Sequence, residues 1–209
     1  MRTLTKIVVW VIGIVVVVCG VLYLTAFDVW TVPSDDPQLA VSIEPELSAG
    51  DTVLVWRGAN PDLGTLARCS DPDQPGKFVI GRVIGQAGDA LDIHNGIYLY
   101  NGKSISSPMG CDPPKVTLRN PVTQEDEELS CSYEEFAGTT HPAIRMGEET
   151  KKVDAVESGK VFLLSDNRPM HLDSRDFGQV SSQSCQRIAF RLWGSGGYFD
   201  AKRRFTMVW

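Results

Sequence analysis

The chain has 209 residues, a formal charge of −6 and 43% apolar residues. That leaves room for one membrane anchor and one globular domain with a core of its own. Setting Arg2 and Lys6 aside leaves 18 basic against 26 acidic residues, a balance of −8 that argues against nucleic acid as a partner.

The first predicted element is an uncharged run, residues 7–27, rich in Val and Ile and broken by Gly13 and Gly20. At about 1.5 Å per residue, a helix of this length spans roughly 30 Å, the thickness of the hydrocarbon layer. Arg2 and Lys6 precede the run and Asp28 follows it. The positive-inside rule therefore predicts a single-pass helix in the plasma membrane, with the N-terminus cytoplasmic and the remainder outside. A cleaved signal peptide fits less well, because Leu24-Thr25-Ala26 puts a bulky side chain where a small one is needed.

Beyond the anchor the signals are β in character. Residues 52–56, 78–84, 161–164 and 187–193 are short β-branched or aromatic runs bounded by turn residues. Residues 90–94 and 97–100 flank Asn95-Gly96, the strongest short signal for a tight hairpin. No long stretch after position 27 carries a helical period, so a mainly β domain is expected. Residues 101–154 differ, holding Pro108, Pro113, Pro114, Pro121, Pro142 and the acidic run Glu125-Asp126-Glu127-Glu128. They read as an inserted cap subdomain, with residues 28–100 and 155–209 forming the β-rich core; the acidic run reads as a solvated face. Cys19 lies in the anchor, leaving Cys69, Cys111, Cys131 and Cys185 outside. In an oxidising compartment they are expected as two disulfides, in any of three pairings, and the absence of a C-x-x-C pair speaks against a metal site.

Four ordered segments resemble the boxes of bacterial type I signal peptidases, the S26-like serine endopeptidases. Ser42-Ile43-Glu44-Pro45-Glu46-Leu47 is similar to the family's S-M-x-P-T-L box, and Gly50-Asp51-Thr52-Val53-Leu54-Val55 to the strand after it. Gly81-Arg82-Val83-Ile84-Gly85-Gln86-Ala87-Gly88-Asp89 resembles K-R-V-x-G-x-P-G-D. Ser165-Asp166-Asn167-Arg168, with Asp173-Ser174-Arg175 and Gly178, is similar to G-D-N-R-x-x-S-x-D-S-R-x-x-G. The resemblance implies a β-rich catalytic core at the outer membrane face that removes signal peptides from exported preproteins, without metal or organic cofactor.

The resemblance makes Ser42 the nucleophile. Ala40 stands where the family often has a second serine, and Gly81 stands where it has the catalytic lysine. Lys77, four residues earlier, would be displaced by roughly 13 Å along a strand, and Arg82 stays protonated, so neither replaces it. The box position that normally faces the lysine is His171, with Asp173 two residues on. Histidine titrates near neutrality, so the expected arrangement is Ser42, His171 and Asp173, with the ring in the space left by Gly81 and Asp166 as a second candidate to orient it. Arg168 and Arg175 are expected to pair with Asp166 or Asp173, supported by Asn167 and Ser174. Gly88-Asp89 is expected to set a turn, and His94 and His141 to be structural or solvent-exposed. Two alternatives share these residues: a silent pseudoprotease that binds preproteins or a partner protease, and a maturase for one pilin or conjugation substrate.

Overall fold

The computed structural model describes residues 2–58, 60–94, 97–145 and 150–208. Helix α1 (Arg2–Ala26) carries most of the apolar run, but Phe27 opens strand β1 (Phe27–Thr31) instead of ending the helix. Its apolar side chains face outward, with Trp10 74% exposed and Val9 63%. Among the described residues, no helix is long and apolar enough to cross a membrane.

The main sheet has eight strands and is antiparallel throughout. Its order is β1, β2 (Thr52–Trp56), β14 (Cys185–Trp193), β3 (Leu66–Ser70), β4 (Phe78–Gln86), β12 (Lys160–Leu164), β13 (Val180–Ser181), with β15 (Thr206–Met207) added to β14. Strand β4 is buried from Val79 to Gly85 because it lies centrally and is covered on both faces, so its apolar residues run nearly unbroken. A second sheet joins β11 (Thr150–Val153), β5 (Leu91–His94), β6 (Ile97–Tyr100) and β7 (Lys103–Ser104). The Asn95-Gly96 turn falls outside the described residues, yet the pairing of His94 with Ile97 is that of a two-residue hairpin. Asp89 fixes the turn before it by accepting from Gln86 N at 2.9 Å and Tyr100 Oη at 3.0 Å.

The Pro-rich stretch forms a third sheet, β10-β9-β8, from β8 (Ser106–Arg119), β9 (Asp126–Phe136) and β10 (Thr139–Ile144). Strand β8 tolerates its prolines because it is an edge strand. Between Gly110 and Lys115 it advances five residues while β9 moves two, from Ser132 to Ser130, so the ribbon is irregular there. The hairpin between β9 and β10 rests on Gly64, whose added Cβ would lie 2.7 Å from Thr139 Oγ1 and 2.9 Å from Phe136 O. Any side chain at position 64 would push this sheet off the core.

The disulfides are Cys69–Cys185, across the directly paired strands β3 and β14, and Cys111–Cys131 inside the ribbon. Short helices α2 (Pro37–Ser42) and α3 (Ser174–Phe177) complete the frame. Helix α2 starts where Asp36 accepts from Leu39 N at 3.0 Å and Pro37 takes the first turn, a start signal written in the sequence.

Candidate active site

Ser42 is the last residue of α2 and is fully buried. Its helix is gripped on two sides. Leu39 and Ile43 join Val53, Val55 and Ile80 of the main sheet, while Val41 joins Leu129, Ile144 and Met170. Asn167 closes the C-terminal end: its N donates to Ser42 O at 3.0 Å and its Nδ2 to Val41 O at 2.9 Å. The Ser42 hydroxyl donates to Leu39 O at 2.8 Å, and among the described residues no hydrogen bond joins it to a lysine or histidine. Among the described residues, a serine in this state has no base bonded to it to take its proton. Ala40 sits beside it and contributes no hydroxyl.

The space expected at Gly81 is filled. A Cβ built there would come within 2.9 Å of Leu163 Cβ and 3.4 Å of Leu164 N, because β12 packs closely against β4 at this point. The glycine serves the approach of two strands and leaves no pocket for an imidazole. Gly81→Lys is therefore expected to lower the melting temperature in a thermal scan, because the atoms it meets are Leu163 Cβ and the Leu164 backbone, which no trimming of a side chain removes, and not to raise preprotein cleavage over the parent chain.

His171 lies across the same helix but turns elsewhere. Its carbonyl accepts from Gln38 Nε2 at 2.8 Å, whereas its ring Nδ1 is 2.9 Å from Asp176 Oδ2. The flanking Met170 and Leu172 pack into the two clusters, and the ring, 12% exposed, lies instead against α3. Asp173 does not orient it. The Asp173 carboxylate accepts from Arg175 Nη2 and Ser165 N, both at 2.8 Å, and from Arg175 N at 2.9 Å. Burial alone would raise Asp173, but Arg175 and these amides hold it below the usual carboxylate range. Ser174 Oγ accepts from Leu163 N at 2.9 Å, tying α3 to β12. His171, Asp173 and Asp176 offer atoms within 4.8 Å of one another, yet Arg175 already occupies both oxygens of Asp173, which leaves no metal-binding set.

The feature that sequence reasoning missed is a buried ionic cluster beneath the site. Arg82 binds Asp166 through Nε at 2.8 Å and Nη2 at 2.7 Å, with both side chains fully buried. Arg168 does not pair primarily with Asp166, which is 3.9 Å away, but with Glu134 at 2.5 Å, and its Nη1 donates to Ser165 O. Arg145 approaches Glu134 at 3.2 Å. His141 is 1% exposed, with Nε2 3.3 Å from Glu134 and 3.9 Å from Asp166. Burial alone would raise Glu134, but Arg168, His141 and Arg145 together hold it at about 2. Burial, helped by Arg82, pushes His141 below its ordinary value and outweighs the pull of Glu134, so the ring is neutral at pH 7. The one sequence signal was an acidic residue, Glu134, at alternating spacing inside an otherwise inward-facing strand.

These residues are the boxes of a known pattern. The family described as "Signal peptidase, peptidase S26" matches residues 4–193 of the chain. The chain belongs to this family. Its similar relatives include signal peptidase I of Bacillus caldolyticus, 30% identical over 157 residues, covering 73% of this chain and 75% of that one. Signal peptidase I of Streptococcus pneumoniae is 26% identical over 167 residues, covering 73% and 78%. A crystal structure of a signal peptidase I from Enterococcus faecalis V583 aligns with a TM-score of 0.40 and 25% identity, over 62% of this chain and 97% of that one. The S26 family is one of peptidases that remove signal peptides.

Proposed function

We propose that this S26 member engages the signal-peptide region of exported preproteins at the outer membrane face and, in the arrangement described, holds it without cutting. The single observation that carries the reading is the spent hydroxyl of Ser42, buried and bonded to Leu39 O, with no base in hydrogen-bond reach among the described residues. The exposed apolar surface of α1 supports lodging in a bilayer, since a folded domain that left such a helix in water would aggregate. The anchor, residues 1–27, then precedes a core of residues 28–100 and 155–209, with residues 101–154 inserted, on the extracytoplasmic side. No step of this reading calls for a metal or cofactor.

The test is a purified full-length chain in micelles with a fluorescent preprotein. The expected result is binding that saturates, with no cleavage product that differs between the parent and Ser42→Ala. A product that disappears in Ser42→Ala overturns the reading. A second reading is favoured by the Gln38 side chain holding the His171 segment to the nucleophile helix. In it the chain is an endopeptidase in which α2 opens, Ser42 attacks, and His171 takes the proton with Asp176 behind it. Covalent labelling of Ser42 by a serine-directed inhibitor would favour it. Full activity in His171→Ala would remove the histidine from it.

A further inference from the structure

The helix that ends at Ser42 is packed on two sides, and the two contacts differ in kind. On the sheet side the contacts belong to the main core, where Leu39, Ile43, Val53, Val55 and Ile80 are at most 1% exposed. On the other side the cover is the far half of the β8–β9 ribbon. Its strand pair presents Val116, Leu118 and Leu129 toward Val41, while Lys115, Thr117 and Arg119 alternate to the solvent face. The charged outer face pairs with itself, Lys115 with Glu128 at 2.5 Å and Arg119 with Asp126 at 3.4 Å, and makes no hold on the core.

The fit beneath this half is incomplete. A groove of about 280 Å³, open to solvent, runs beside the tip, with Ala40, Val41 and Glu44 on one side and Leu118 and Arg119 on the other. Glu44, two residues after Ser42, has its carboxyl pushed up by burial at this seam. This contact is an apposition of a few side chains, with Val116 and Leu118 only partly buried beside the open groove.

The near half of the ribbon is fixed. Thr139 Oγ1 donates to Gly64 O at 3.2 Å, Glu134 is held by Arg168 and Arg145, and Ile144 N donates to Asp166 O at 2.8 Å. Between the halves lies the irregular crossing at residues 110–115, with the Cys111–Cys131 disulfide keeping the two strands together. The ribbon thus has an anchored base, a break in its ladder and a lightly held tip over the nucleophile helix.

We propose that residues 115–130 form an autoinhibitory strap that pivots at the β8 irregularity and sets the access of Ser42. This deepens the preceding reading, on which it rests only for the identity of the site. The buried hydroxyl is then a property of the strapped state, and lifting the tip uncovers Val41 and the C-terminal turn of α2.

The test reads exposure and needs no catalysis. In the full chain with Cys19→Ser, a thiol at Ser42→Cys is expected to react slowly with a maleimide. Adding Leu118→Asp puts a charge in the seam and is expected to raise the rate by about tenfold or more, since even one buried unpaired charge costs more than 1.4 kcal/mol. A control, Val55→Cys on the main sheet, is expected to stay unreactive in both backgrounds. Replacing residues 117–128 by an Asn-Gly turn supplies a second strap variant should the aspartate fail to fold. An unchanged rate at position 42 in either folded variant overturns the strap. So does a parallel rise at positions 42 and 55, which would mean that the ribbon has no motion of its own. Preprotein binding is measured separately on the same proteins, so failure of the strap and failure of the binding reading give different patterns.

Discussion

Asp166→Ala is expected to destabilise the chain by about 3–5 kcal/mol, the cost of removing one partner from a buried ion pair. Asp166 takes two hydrogen bonds from Arg82, and both groups have no solvent to turn to. At this chain length, about 2–4 °C per kcal/mol makes the fall in melting temperature on the order of 10 °C. The charge is the cause, so Arg82→Met combined with Asp166→Leu is expected to recover most of the loss by deleting both members. Thermal scans of the three proteins decide it, and a double variant no better than Asp166→Ala would place the cost in packing instead. Acid acts on the same cluster. Glu134 sits at about 2 in the fold against 4.5 when free, so its contribution is whole above 4.5 and is lost as pH falls toward 2. His141, depressed in the fold, adds in the same direction. The unfolded chain takes its proton first, near 6.5, and stability declines as pH falls from there toward the native value.

Removing the Cys69–Cys185 bridge is expected to cost more than removing Cys111–Cys131. The first closes a separation of 116 residues and the second one of 20. On the chain-entropy account these correspond to about 4.8 and about 3.3 kcal/mol. The positions widen the gap, because Cys69 and Cys185 sit in the main core beside Val79 and Leu163, whereas the ribbon bridge joins strands already paired by hydrogen bonds. Denaturant titration of Cys69→Ala/Cys185→Ala and of Cys111→Ala/Cys131→Ala gives the ranking directly. An equal or reversed order would show that the unfolded chain is not the state these bridges act upon.

Much of the main sheet was legible in the sequence. The β-branched runs at 52–56, 78–84, 161–164 and 187–193 lie within β2, β4, β12 and β14 because those strands are long enough and buried enough for composition to mark them. The two-residue strands β7, β13 and β15 carry too few side chains to leave a pattern. Helix α2 was missed although Asp36 and Pro37 announce it, since its six residues are too short for a period to register. The ribbon was hidden for the opposite reason: Pro113 and Pro114 break an alternation that resumes on either side of them. At the site, the box order put Ser42, Asp166, Asn167 and Arg168 in one neighbourhood, and the fold agrees. The packing around Gly81 and the turn of His171 toward Asp176 depend on Leu163, Met170 and Leu172, whose directions follow from contacts distant in sequence. His141 was expected to be structural or solvent-exposed, and docking against Glu134 makes it interior.

Strand β1 begins at Phe27, the residue after α1 ends, and Arg57 N donates to Ala26 O at 2.9 Å across the joint. A hinge needs slack, and here there is no spare residue to supply it. Any lean of the apolar rod is therefore passed to the rim of the eight-stranded sheet, and α2 rides at a set elevation above whatever surface the rod occupies. On the proposed function, reach along a held preprotein is fixed by that elevation, much as a stylus on a rigid arm reads only one groove depth.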